Sequence, residues 1–150
     1  MKLKKTSITN YRCFKEAEID FDEHTTLIVG KNGAGKTAIL DAVAVAISTF
    51  LLGIDGGVSR SISKDDARYE FYDLDGTVDP QHQFPVSIES TGDCLDNHDV
   101  KWVRSLNSES GNTTVKEARE LTNISKNTQK RIMTIDRSCE ESTEPDHDRR

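Results

Sequence analysis

The sequence predicts an α/β fold in which a mixed sheet packs on one long apolar helix. Three observations carry that prediction. Thr26-Leu27-Ile28-Val29 is a short, partly β-branched apolar run that reads as a buried strand. Gly30-Lys31-Asn32-Gly33-Ala34-Gly35-Lys36-Thr37 follows at once and fits the pattern G-x-x-x-x-G-K-[ST]. After Lys36 the hydrophobic period becomes helical, with Ile39, Val43, Ile47, Phe50 and Leu51 on one face.

This order of strand, glycine loop and helix has a chemical reading. A helix start offers several N–H groups without internal partners, together with the positive end of the macrodipole, and so suits a polyphosphate. Gly33 and Gly35 let the backbone turn and approach where a Cβ would collide or forbid a positive φ. Lys36 can reach β- and γ-phosphates as a mobile point charge. Thr37 offers a hydroxyl to the Mg²⁺ that bridges the same oxygens. Nucleotide binding is the expected function.

The flanking elements follow from the same patterns. Leu3 to Thr9 reads as a strand with a lysine-rich face, Asn10 to Phe14 as a turn, and Glu16 to Phe21 as a second strand. The helix should run from Lys36 to about Leu52, with Gly53 near its C-terminus. Asp41 is its only charge after Lys36, which predicts burial on most sides. Ser63-Lys64-Asp65-Asp66 looks like a cap opening a helical turn. Pro85 to Glu89 and Val100 to Arg104 suggest a hairpin around a polar loop from Thr91 to Asp99, with Trp102 as a packing anchor. Thr114 to Ile124 reads as helical, with Val115, Ala118, Leu121 and Thr122 on one side. Residues 1–135 form the expected lobe, and 136–150 an expected disordered, charged tail.

Composition narrows the classes. The chain has 150 residues, 34% hydrophobic and 31% charged, with net charge −6, which opposes a basic nucleic-acid surface over the whole chain. Lys2, Lys4, Lys5 and Arg12 make only the first dozen residues basic. Cys13, Cys94 and Cys139 are odd in number and widely spaced, which fits a reducing cytoplasm better than a disulfide framework. His24, His82, His98 and His147 lack metal-ligand spacing and read as loop residues. The stretch 42–52 reads as too short to cross a bilayer, so no membrane is expected.

Hydrolysis needs more than a cradle: a carboxylate holding Mg²⁺ through water at the end of an apolar strand, and a group polarising the attacking water. Asp136 after Ile132-Met133-Thr134-Ile135 is the one candidate, and Arg137 rather than Glu follows it. Asp73-Leu74-Asp75-Gly76 matches the D-x-x-G of guanine-nucleotide enzymes, but its order relative to Ser63-Lys64-Asp65-Asp66 is reversed and coincidence is the better account.

The run from Leu3 through Ile8-Thr9-Asn10-Tyr11-Arg12-Cys13-Phe14, then Ile19-Asp20-Phe21, then Leu27 to Ala42 resembles the N-terminal lobe of the RecF, SbcC and structural-maintenance-of-chromosomes ATPases. Ile62 to Asp66, the two later strands and Thr113 to Leu121 look more narrowly like bacterial predicted ATP-binding proteins involved in virulence, akin to OLD-type anti-phage ATPases. The resemblance implies a P-loop NTPase of the ABC-ATPase head type, binding ATP and Mg²⁺ in the cytoplasm. It implies that Gly30 and Asn32, Gly33, Ala34, Gly35, Lys36, Thr37 and Ala38 surround the phosphates. Lys36 would be the catalytic cation, Thr37 the metal ligand, and Arg12 a second cation near the phosphates. It also implies a second head as partner in a homodimer, DNA or a nuclease effector as further partners, and a role in DNA repair or phage defence. Family members continue into a glutamine loop, a signature motif, an Asp-Glu pair and a switch histidine, none assignable here. The chain is therefore expected to be an N-terminal piece that binds nucleotide weakly and turns it over slowly or not at all alone. A non-catalytic dimerisation module and a small P-loop kinase or GTPase remain the competing classes.

Overall fold

The computed structural model describes residues 1–74 and 77–141. Its elements are β1 (Lys2–Tyr11), β2 (Phe14–Asp20), α1 (Lys36–Ser48), β3 (Tyr69–Leu74), β4 (Thr77–His82), β5 (Val86–Cys94), β6 (Asn97–Leu106) and α2 (Arg119–Glu141), with short 3-10 turns at Thr49–Gly53, Lys64–Asp66 and Lys116–Ala118. Four strands form one sheet in the order β2-β1-β5-β6, and β3 and β4 form a separate hairpin. Every pairing among these strands is antiparallel, where the sequence suggested a mixed sheet.

Period-two alternation decides which face of the sheet is wet. Ile8 stands opposite both Ala17 and Ile88, and Ser90 opposite Trp102, so one face collects Ile8, Val86, Ile88, Val100, Trp102 and Leu106, all buried. α1 lies across that face. Trp102 is the anchor expected: it is buried, and its indole Nε1 donates to the Ala46 carbonyl at 3.0 Å, which satisfies a group that is costly to bury unpaired.

The helix does not use the face its large side chains suggested. Its buried residues are Ala38, Ala42, Val45 and Ala46, whereas Leu40, Ile47 and Leu51 are exposed. Small residues let the helix backbone approach a sheet already filled by Trp102 and Tyr11, so the bulky ones are turned away; of the predicted stripe, Phe50 packs partly on the core. The α-helix ends at Ser48 and tightens into the turn Thr49–Gly53. Gly53 has a packing reason rather than a left-handed cap. A Cβ there would lie 1.8 Å from Ser125 Oγ and 2.3 Å from the Thr122 carbonyl, where α2 crosses. Taken together, Lys36–Gly53 is 18 residues with mean hydropathy 1.6, long and apolar enough by length and composition alone to cross a membrane, a longer window than the 42–52 stretch read from the sequence. Its inner face is nevertheless core.

Three further boundaries differ. The polar loop expected at 91–99 is ladder: β5 and β6 pair to Cys94 and Asn97 around a two-residue turn. The β3–β4 hairpin was not foreseen; Asp75 and Gly76 lie outside the described residues, as do 142–150. α2 carries on through Glu141, so Ile132 to Ile135 is helical and is not the apolar strand a magnesium-binding Asp136 would need. As expected, Ala118, Leu121 and Thr122 are buried, but Val115 is exposed.

Candidate phosphate-binding site

The glycine loop reaches α1 through two left-handed residues, Gly33 at φ 83° and Gly35 at φ 88°. Gly35 is required twice over, because a Cβ on it would lie 2.5 Å from the Phe14 ring and 2.7 Å from Cys13 Sγ. Gly35 is also the N-cap of α1, and no side chain caps the helix, nor does an acidic residue stand in its first turn. The N–H groups that other helices hand to Ser, Asp or Glu are therefore left for an outside anion.

Lys36 folds back over its own loop. Its Nζ donates to the carbonyls of Gly30 at 2.7 Å and Lys31 at 2.8 Å. A cation held by two neutral carbonyls is poised to exchange them for phosphate oxygens, which bind it more strongly. Thr37 is exposed and its hydroxyl is engaged by no other group among the described residues, while Ala38 is buried and contributes only its amide. Gly30, Asn32, Gly33 and Ala34 are exposed around this nest, with Ala34 N bonded to the Lys31 carbonyl at 3.2 Å. The donor set fits a triphosphate: open amides, one mobile ammonium, and one free hydroxyl for Mg²⁺.

The strand expected to feed the loop is not formed. Among the described residues, 26–29 lie outside every ladder and make no backbone–backbone hydrogen bond, and Leu27 and Val29 are 82% and 81% exposed. The segment has strand composition, but among the described residues no strand pairs with it.

Arg12 is brought beside the loop but not onto it. It sits in the β1–β2 turn at φ 51°, next to Cys13 and Phe14, which touch Gly35. Its guanidinium is held by two carboxylates, Nη1 by Asp41 and Nε by Asp66 Oδ1 at 2.9 Å. Sequence reasoning noted Asp41 as the lone charge of the helix after Lys36 and Asp66 as part of a cap, and missed that one arginine joins them. Asp66 is the cap too: its Oδ2 accepts from the Ser63 amide and hydroxyl at 3.0 Å each. Burial opposes its ionisation, but the Ser63 amide, Arg12 and the Ser63 hydroxyl outweigh that cost and hold the carboxyl below its ordinary value. Beneath Arg12, Tyr11 is buried with an unpartnered hydroxyl, and burial aided by Asp66 pushes its pKa up to about 12.

Elsewhere the expected chemistry thins out. The lysines of the first dozen residues are neutralised in place: Lys2 pairs with Glu23, Lys4 with Asp93 and Asp99, and Lys5 with Glu18. Among the described residues no cluster of His, Cys, Asp and Glu could hold a metal. His82 is in β4 rather than a loop and stacks on Tyr69 at 4.2 Å.

The AAA_23 family, described as an AAA domain, matches residues 5–143. The chain belongs to that family. It is 54% identical over 43 residues to the DNA replication and repair protein RecF of Flavobacterium johnsoniae, covering 29% of this chain and 12% of that one. Against the DNA double-strand break repair Rad50 ATPase of Archaeoglobus fulgidus it is 48% identical over 44 residues, 29% of this chain and 5% of the relative. RecF of Actinobacillus pleuropneumoniae is 32% identical over 100 residues, 63% of this chain and 26% of the relative. The chain thus matches between 5% and 26% of the length of these curated relatives. Its fold is that of a chain solved in work on ATP-driven dimerization and DNA stimulated activation of SMC ATPases, with TM-score 0.54 at 19% identity, covering 83% of this chain and 80% of that one. This AAA_23 chain therefore has the fold of the N-terminal lobe of an ABC-type, SMC-like P-loop ATPase head.

Proposed function

We propose that this chain is the nucleotide-holding lobe of a RecF/Rad50/SMC-like ATPase: it binds Mg-ATP through Gly30 and Asn32 to Ala38, and belongs to a system acting in DNA repair. One observation carries the reading. The helix N-terminus is uncapped, approached by two left-handed glycines, and guarded by a lysine resting on replaceable carbonyls. Lys36 would supply charge to the β- and γ-phosphates, the loop amides would orient them, and the Thr37 hydroxyl would hold Mg²⁺, which supplies charge neutralisation for the polyphosphate.

Turnover depends on groups supplied from outside this lobe. Helical Ile132 to Ile135 cannot deliver a strand-end carboxylate, and no described strand runs parallel beside residues 26–29. The uncovered apolar side chains of Leu27, Val29, Leu40 and Ile47 fit a further layer of the same head, and a second head fits the dimerising assembly named for the SMC structure. The purified chain is expected to bind Mg-ATP while releasing phosphate no faster than Lys36→Ala. Phosphate release that Lys36→Ala abolishes contradicts this division of labour.

A further inference from the structure

The ion pairs around Arg12 form a continuous chain that nothing in the phosphate cradle requires. Arg60 Nη1 meets Asp41 Oδ1 at 2.7 Å, Asp41 Oδ2 meets Arg12 Nη1, and Arg12 Nε meets Asp66 Oδ1. The backbone repeats the last link, with Arg12 N donating to the Asp66 carbonyl at 2.7 Å. Four side chains thereby tie the β1–β2 turn, α1, and the segment 60–66 into one charge-balanced unit. Both Asp41 and Asp66 are less than a fifth exposed, so their pairing is screened less than a surface bridge.

The position of this unit matters more than its stability. Arg12 is in the turn whose next two residues press on Gly35, and Asp41 is on α1, a turn and a half beyond Lys36. A triphosphate on the loop would place several negative charges beside a guanidinium that two carboxylates already hold. Carboxylate and phosphate compete for the same planar fork.

Resting on the cradle reading above, we propose that Asp41 and Asp66 are positioning residues for Arg12, and that the unit is a latch. Without nucleotide, the carboxylates hold the guanidinium off the loop. Phosphate draws it away from Asp41, leaves Asp41 to Arg60 alone, and loosens the capped segment from Arg60 to Ala67. The cleft of about 630 Å³ bordered by Arg12, Arg60, Ser63, Asp66 and Tyr69 is where that loosening would be felt. Occupancy of the loop is thereby reported at a surface contributed by another part of the chain.

The test uses the full chain, with Mg-ATP and Mg-tripolyphosphate as probes in calorimetry. Asp41→Asn should tighten binding of both by about fivefold, within the range of site-to-site coupling. The same substitution in an Arg12→Ala background should give no gain. A gain that survives without Arg12 reflects bare electrostatics, and no gain at all means Arg12 is not withheld from phosphate; either overturns the latch. Amide exchange on the wild-type chain gives a second reading that needs no Asp41 variant. Mg-ATP should speed exchange of the Ser63 and Asp66 amides in wild type but not in Arg12→Ala, and unchanged wild-type exchange also overturns it. If the wild-type chain binds neither probe, the cradle reading itself fails and the latch falls with it, an outcome distinct from binding without coupling.

Discussion

The two faces of α1 carry apolar side chains of the same kind and meet different surroundings. On the inner face, Ala42, Val45 and Ala46 are fully buried against the sheet and Trp102. On the outer face, Leu40 is 58% and Ile47 46% exposed. A helix apolar all round belongs between two layers, and burying one such large side chain is worth roughly 1.5–3 kcal/mol. The inner face accounts for why this chain folds. The outer face, like Leu27 and Val29 of the unpaired segment 26–29, leaves apolar side chains in contact with water, where they contribute no burial energy.

The largest expected effect is on the inner side. Trp102→Ala removes the anchor and its indole hydrogen bond to the Ala46 carbonyl, so denaturant unfolding should show a loss of about 3–5 kcal/mol. A loss below 1 kcal/mol would mean the sheet face is not the core. Next comes a paired substitution that sets the faces directly against each other. Ala42→Leu should overpack the inner face and cost roughly 1–3 kcal/mol, whereas Ile47→Gln on the outer face should stay within about 0.5 kcal/mol. Equal costs in thermal melts would erase the distinction.

The smallest effects concern pH at the Arg12 cluster. The folded pKa of Asp66 is lowered, so its contribution is present above the unfolded carboxylate value of about 4 and is lost as pH falls through the folded value. Tyr11 is raised to about 12, so its contribution is present below the unfolded value of about 10 and is lost as pH rises through about 12. Asp66→Asn should flatten the acid limb of a stability–pH curve and Tyr11→Phe the alkaline limb. A limb that keeps its slope in its variant removes that group from the account.

The loop was legible because its chemistry is local. Gly33, Gly35, Lys36 and Thr37 need only their own backbone angles and the start of a helix, and a short motif specifies both. β1, β2, the Ser63 cap and Trp102 were legible for the same reason, since alternation and capping are read over a few residues. What failed depended on neighbours. Thr26 to Val29 has strand composition, but a strand exists only when another strand pairs with it, and none among the described residues does. The buried face of α1 was misassigned because side-chain size was read as attraction to the core, while the real constraint was close approach to a sheet filled by Trp102. The Arg12 cluster joins residues 12, 41, 60 and 66, separations at which no periodicity operates. The β3–β4 hairpin had an Asp-Gly signal at 75–76 between two strand-like runs, a turn cue that was spent on a different motif.

One titration bears on the phosphate cradle most directly. Mg-ATP run into the full chain by calorimetry should give a saturable heat with one site per chain, and Lys36→Ala should weaken it about a hundredfold while leaving the melting temperature unchanged. No heat with the wild-type chain, or equal affinity in Lys36→Ala, would contradict it.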